Sequence, residues 1–209
     1  MIGDFEWQED LVKLCEYVSR KLWFNNCLSL PNSFAVLVKE NQNYPRYSKF
    51  KKKRLIQKFV KLTCEYLKLN IKYINLKIEE YSNRFASDYL GSFRANSKLG
   101  ADIYISYSSQ FTIYRQAAII IHELTHYFAY SNNITFETED ERCTDILCLF
   151  LGFYPILSNG YAAVTYSNDD VFGNQRSFST GYLSDLELQF CQTIISSMRR
   201  EKQNTYCDW

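Results

Sequence analysis

Both histidines of this 209-residue chain lie in one apolar segment, IIIHELTHYF at 119–128, and they are four residues apart. Apolar residues recur at helical spacing over 112–130, which predicts a helix there. Since residues i and i+4 share a helix face, His122 and His126 can both bind one metal ion. Glu123 lies beside that face, where a carboxylate can take a proton from a metal-bound water. The competing interpretation is a pair of neutral histidines packed in an apolar core.

The third metal ligand is expected to be a carboxylate. A catalytic zinc site has three protein ligands and one open position, and the chain has no third histidine. The acidic segment FETEDERCTD comes next along the chain, and within it Glu141 has Asp145 one helical turn later. A carboxylate commonly accepts the second N–H of a metal-bound histidine. We therefore predict that Glu141 is the ligand and that Asp145 accepts the second N–H of one of the histidines. Glu137 and Glu139 are alternative ligands, and Glu141 also fits a helix-capping pattern with Thr138.

The rest of the chain predicts an α+β fold. Apolar residues at helical spacing predict four further helices, over 5–24, 49–69, 140–153 and 182–200. Alternation of apolar and polar residues predicts three short strands, over 71–78, 89–94 and 101–106. The stretches around Pro31 and Pro45 and from Pro155 to Thr180 are predicted as loops. Ser184 with Glu187 three residues later predicts a capping box at the last helix.

Composition and charge exclude several classes of function. The net charge of +1 gives the whole molecule no field that favours nucleic acid, and no apolar run is long enough to span a membrane. The acidic start of the chain is unlike a signal peptide, and the seven cysteines are scattered without a C-x-x-C pair, so we expect a cytoplasmic protein with reduced thiols. The lysines of the 49–69 helix are read as a solvated face, with nucleic-acid binding as the competing interpretation.

The two motifs together resemble the gluzincins, zinc metallopeptidases with H-E-x-x-H on one helix and a glutamate on a following helix. HELTH followed by ERCTD matches that pattern, and the resemblance covers roughly residues 85–190. It implies one Zn²⁺ bound by His122, His126 and Glu141, with Glu123 as general base. It also implies a single zincin-like domain over 1–209, in which a helical part at 1–70 precedes a metallopeptidase-like core at 71–209.

The resemblance further implies an upstream edge strand for an extended peptide, supplied by YLGSFR or ADIYIS. Many gluzincins use another histidine or tyrosine to stabilise the oxyanion. This chain has no histidine left, so Tyr182 and Arg176 are the candidates. The predicted function is zinc-dependent hydrolysis of a peptide or protein substrate. The alternative is a zinc-stabilised binding or regulatory protein without turnover, which the missing oxyanion histidine and the many Tyr and Phe residues favour.

Overall fold

The computed structural model describes residues 6–22, 30–81, 90–96, 100–137, 140–161 and 183–205. Within these ranges the fold is α+β, with seven α-helices and one small mixed sheet. The helices are α1 (Glu6–Lys21), α2 (Asn32–Glu40), α3 (Lys49–Leu67), α4 (Ile113–Ser131), α5 (Asp140–Phe150), α6 (Tyr154–Tyr161) and α7 (Asp185–Thr205). The strands are β1 (Ile74–Glu80), β2 (Gly91–Ala95) and β3 (Ala101–Tyr107).

The sheet has the order β1-β3-β2, with β3 in the centre. β1 pairs with β3 in parallel, with Ile74 opposite Ala101. β2 pairs with β3 antiparallel, with Gly91 opposite Ile105. Of the two segments expected to supply an edge strand, ADIYIS therefore forms the central strand, because it has a partner on both sides. YLGSFR contributes to β2, which is an edge of the sheet within the described residues.

Helix α4 is the centre of the fold. It packs against β2 and β3 on one side and against α3, α5 and α6 on others. Its first turn is capped by Thr112, whose side chain accepts a hydrogen bond from the backbone N–H of Arg115. Because neighbours cover it on several sides, α4 is apolar over most of its circumference, with buried residues such as Ala117, Ile120 and Leu124. A polar side chain on this helix is therefore held among packed elements.

Two predicted loops are wrong within the described residues, because each contains a short helix whose first residue is next to a proline. Pro31 is the N-cap of α2, and Pro155 is the second residue of α6. Proline is tolerated in the first turn of a helix, where its missing N–H has no intrahelical acceptor. Residues 162–180 of the second predicted loop lie outside the described residues. The strand predicted from 71 begins only at Ile74, after a short 3-10 turn.

The other predicted helices are confirmed with shifted ends, and α7 shows the predicted capping box. The backbone N–H of Ser184 donates to Glu187 Oε2 at 2.7 Å, and the backbone N–H of Glu187 donates to Ser184 Oγ at 3.3 Å. α7 packs against α1, α5 and α6, which joins the two ends of the described chain. The five cysteines among the described residues are buried thiols. No described helix combines the length and the apolar character that a bilayer crossing requires.

Candidate metal centre

The two histidines of α4 and the first turn of α5 meet at one point. His122 Nε2 lies 2.9 Å and His126 Nε2 lies 3.1 Å from Glu141 Oε2, and the two Nε2 atoms are 3.2 Å apart. Ligands held 2.0–2.1 Å from a tetrahedral zinc are about 3.4 Å apart, so these three atoms are within a few tenths of an ångström of that arrangement. A zinc ion would therefore fit between the three atoms if they moved apart by a few tenths of an ångström.

Charge around the cluster favours a cation. Burial alone would lower the pKa of His122, but hydrogen bonds to Asp145 and Glu141 outweigh it and raise that pKa well above its usual value. Hydrogen bonds from His122 and His126 lower the pKa of Glu141 well below its usual range. These surroundings favour a positive charge on or between the histidines, and a metal can bind only where the nitrogens that hold it carry no proton.

Asp145 fixes the orientation of His122. The Asp145 side chain is completely buried, and its Oδ1 accepts a hydrogen bond from His122 Nδ1 at 2.9 Å. The Tyr161 hydroxyl donates to the same oxygen at 2.6 Å, and the backbone N–H of Leu183 donates to Oδ2 at 3.1 Å. Because Nδ1 keeps its hydrogen in this arrangement, Nε2 is the ring nitrogen on the side of Glu141, and a metal that replaces its proton would bind there.

Thr144 and Phe93 hold His126 in a similar way. The Thr144 hydroxyl donates its hydrogen to the carbonyl of Asp140 at 2.8 Å, so it accepts from His126 Nδ1, 3.3 Å away. The ring of Phe93, on β2, stacks on the imidazole with a centroid distance of 5.9 Å and an interplanar angle of 8°. These contacts occupy Nδ1 and turn Nε2 of His126 toward His122 and Glu141.

Glu123 is buried beside the cluster and packs against the edge strand. Its carboxylate is outside the group of converging ligand atoms, which consists of His122, His126 and Glu141. Burial is the main cause that raises its pKa, which makes the carboxylate a better proton acceptor. At Gly91 on β2, an added Cβ would lie 2.7 Å from Glu123 Cγ and 2.8 Å from Cδ, so any larger residue would force the Glu123 side chain to shift.

Of the other predicted site residues, the structure describes Glu137, which lies outside the cluster. Glu137 is exposed, its backbone N–H donates to the Tyr17 hydroxyl at 3.1 Å, and it does not belong to the converging group. Four predicted residues fall outside the described part of the chain: Thr138, Glu139, Arg176 and Tyr182. The helix-capping pattern, the alternative ligand Glu139 and the two oxyanion candidates are therefore not placed. Among the described carboxylates, Glu141 is the one that meets both histidines.

Sequence reasoning missed four residues that support the site, namely Gly91, Phe93, Thr144 and Tyr161. Thr144 lies three residues after Glu141, so helical spacing could have placed it on the same face. The other three come from a strand and a helix far along the chain, and no local pattern connects them to the histidines. Comparisons with protein-family models, with curated proteins and with solved structures returned no significant match.

Proposed function

We propose that this protein is a zinc-dependent hydrolase of the zincin type, which cleaves a peptide or amide bond. The observation that supports it is the convergence of His122 Nε2, His126 Nε2 and Glu141 Oε2 beside the buried carboxylate of Glu123. Two nitrogen donors and one carboxylate are the three protein ligands that a catalytic zinc site requires, and they would leave its fourth position to water.

Each residue has a defined role in this proposal. His122, His126 and Glu141 would hold the zinc, which when bound lowers the pKa of a water molecule and polarises the substrate carbonyl. Glu123 would accept a proton from the attacking water and pass it to the leaving amine. Asp145 keeps the second N–H of His122 occupied, so that this ring presents the same nitrogen throughout.

The edge strand β2 is the proposed binding site for the substrate. An extended peptide can pair with the free backbone groups of an edge strand, as in other cases of strand addition. β2 carries Gly91 next to Glu123 and Phe93 next to His126, so a peptide paired with it would pass close to the metal centre. This position supports a peptide or protein as the substrate class.

A zinc-stabilised binding or regulatory protein is the second candidate function. The chain contains only two histidines, and the proposal assigns both to the metal, so no histidine remains to stabilise an oxyanion. In that case the metal would stabilise the packing of α4 against α5, and replacement of Glu123 would leave the function intact.

Metal content tests the shared part of both candidates. We expect about one zinc per chain in the wild type by elemental analysis, and loss of that zinc in His122→Ala and Glu141→Ala. Glu137→Ala removes an exposed glutamate and should keep the metal. A wild type that binds no zinc after reconstitution would refute the metal centre.

Turnover separates the two candidates. Glu123→Gln should keep the zinc and lose about 10²–10⁴-fold in the rate of hydrolysis of a quenched-fluorescent peptide library. Hydrolysis that survives this substitution, with zinc still bound, would contradict the role of Glu123. Zinc binding without detectable hydrolysis by the wild type would favour the binding protein.

A further inference from the structure

Helices α2 and α3 form a surface groove separate from the metal centre. Its volume is about 950 Å³, with Leu37 of α2 and Leu55 of α3 among its lining residues. An adjoining depression shares Leu37, Lys58 and Lys61 with it and adds Val36. We call the two together the basic groove. No residue that lines it belongs to the proposed metal centre, so a role for this groove does not depend on the proposed function.

Positive charge is concentrated along one side of the basic groove. Lys51, Arg54, Lys58 and Lys61 all line it, and their spacing of three, four and three residues places them in one stripe along α3. Against these four cations the basic groove has two carboxylates, Glu40 and Glu65, which gives its lining a net charge of +2. The whole chain carries only +1. Among the described residues, no carboxylate lies within salt-bridge distance of Arg54 or Lys58.

Apolar side chains accompany the cations. Phe50, at the start of α3, is 77% exposed and lines the groove beside Lys51, and Val36 is 51% exposed. Leu37 and Leu55 are largely buried beneath them. Apolar side chains left in water next to these cations indicate an occupant that is both apolar and acidic.

We propose that the basic groove docks an acidic amphipathic helix of a partner protein. Carboxylates spaced three and four residues apart on such a helix would match the stripe on α3, and its apolar face would cover Phe50, Val36 and Leu37. α2 has nine residues and is about 14 Å long, so it can flank two to three turns of a docked helix. The groove is concave, which favours an inserted segment over a flat lipid surface.

Fluorescence anisotropy with a designed probe tests this proposal. The probe is a fluorescein-labelled helical peptide of about four turns, with glutamates spaced three, four and three residues apart and leucines on the adjoining face. The control peptide has lysine in place of each glutamate. We expect the acidic peptide to bind the full-length wild type, the control peptide not to bind, and added salt to weaken binding.

Matched variants locate the binding surface. The double variant Arg54→Glu/Lys58→Glu should weaken binding at least about tenfold, and Phe50→Ser should weaken it several-fold. Lys53→Glu/Lys72→Glu changes the net charge equally, at exposed lysines outside the groove, and should bind like the wild type. Circular dichroism checks that each variant is folded. If the charge reversal unfolds the chain, Arg54→Gln/Lys58→Gln replaces it, with about threefold weakening expected.

Three outcomes would overturn the proposal. The first is that the wild type does not bind the acidic peptide. The second is that both double variants weaken binding equally, which would indicate net charge rather than the groove. The third is that vesicles containing phosphatidylserine, or duplex DNA, bind the wild type through the same cations while the acidic peptide does not compete. The groove would then serve a membrane or a nucleic acid.

Discussion

Replacement of Asp145 by asparagine tests the buried acceptor behind His122. Asparagine keeps the size of the side chain but offers one acceptor oxygen and one NH₂ group. The wild-type carboxylate accepts from His122 and Tyr161 at one oxygen and from the Leu183 N–H at the other. Whichever way the amide is turned, at least one of these donors faces the NH₂ group and loses its acceptor.

The size of the effect depends on the number of donors that lose their acceptor and on the loss of the negative charge of Asp145. One buried donor without an acceptor should lower the free energy of unfolding by about 1–3 kcal/mol. Loss of the carboxylate behind a metal-bound histidine should weaken zinc binding by about 10–100-fold, or roughly 1.4–2.8 kcal/mol. Asp185→Asn is the matched control, because that carboxylate is exposed and accepts one hydrogen bond, from Gln189.

Two assays measure the two effects separately. Urea unfolding in EDTA reports the stability of the protein without metal, and competition with a chromophoric chelator reports the dissociation constant for zinc. We expect Asp145→Asn to lower both the stability and the affinity, and Asp185→Asn to change neither by more than experimental error. An Asp145→Asn protein that is less stable but binds zinc with wild-type affinity would refute the orienting role and leave Asp145 as a packing residue.

Three further predictions use the same site. Gly91→Ala should displace Glu123, the proposed general base, and reduce hydrolysis at least about tenfold with zinc content unchanged. Unchanged hydrolysis would contradict the tight packing of Gly91 against Glu123. Tyr161→Phe should lower the free energy of unfolding by about 1.5 kcal/mol, whereas Tyr154→Phe on the same helix should not. In EDTA, urea midpoints should be highest between about pH 4.5 and 6.5. The lowered pKa of Glu141 stabilises the folded protein above about pH 4.5, and this contribution is lost as pH falls below that value. The raised pKa of His122 stabilises the folded protein below about pH 6.5, and this contribution is lost as pH rises through the folded-state pKa. Urea midpoints that rise from pH 6.5 to 8 would therefore count against the ion pairs of Glu141 and His122.

The local part of the site was predictable because helix geometry is periodic. A spacing of four residues places His122 and His126 on one face whatever surrounds them, and it places Asp145 one turn after Glu141. The apolar positions of α4 likewise require a helix with most of its surface covered. These features depend on backbone geometry alone, so one sequence is enough to infer them.

The two short helices that begin next to a proline were not predictable in the same way. α2 and α6 have nine and eight residues, and proline at or next to their first residue suggested a loop. They form because Phe34, Leu37 and Val38 of α2, and Ile156 and Leu157 of α6, are buried against other elements. Burial of these side chains by the rest of the fold outweighs a weak local preference.

The sequence by itself therefore determined the helices that carry the histidines and the candidate glutamate, and the chemistry these residues can perform. Only the tertiary structure decided which carboxylate meets the histidines, which strand is at the edge, and that Gly91 and Tyr161 contact Glu123 and Asp145. The physical reason is distance along the chain. Spacing within one helix is set by backbone periodicity, whereas contacts between separate elements depend on how all of them pack together.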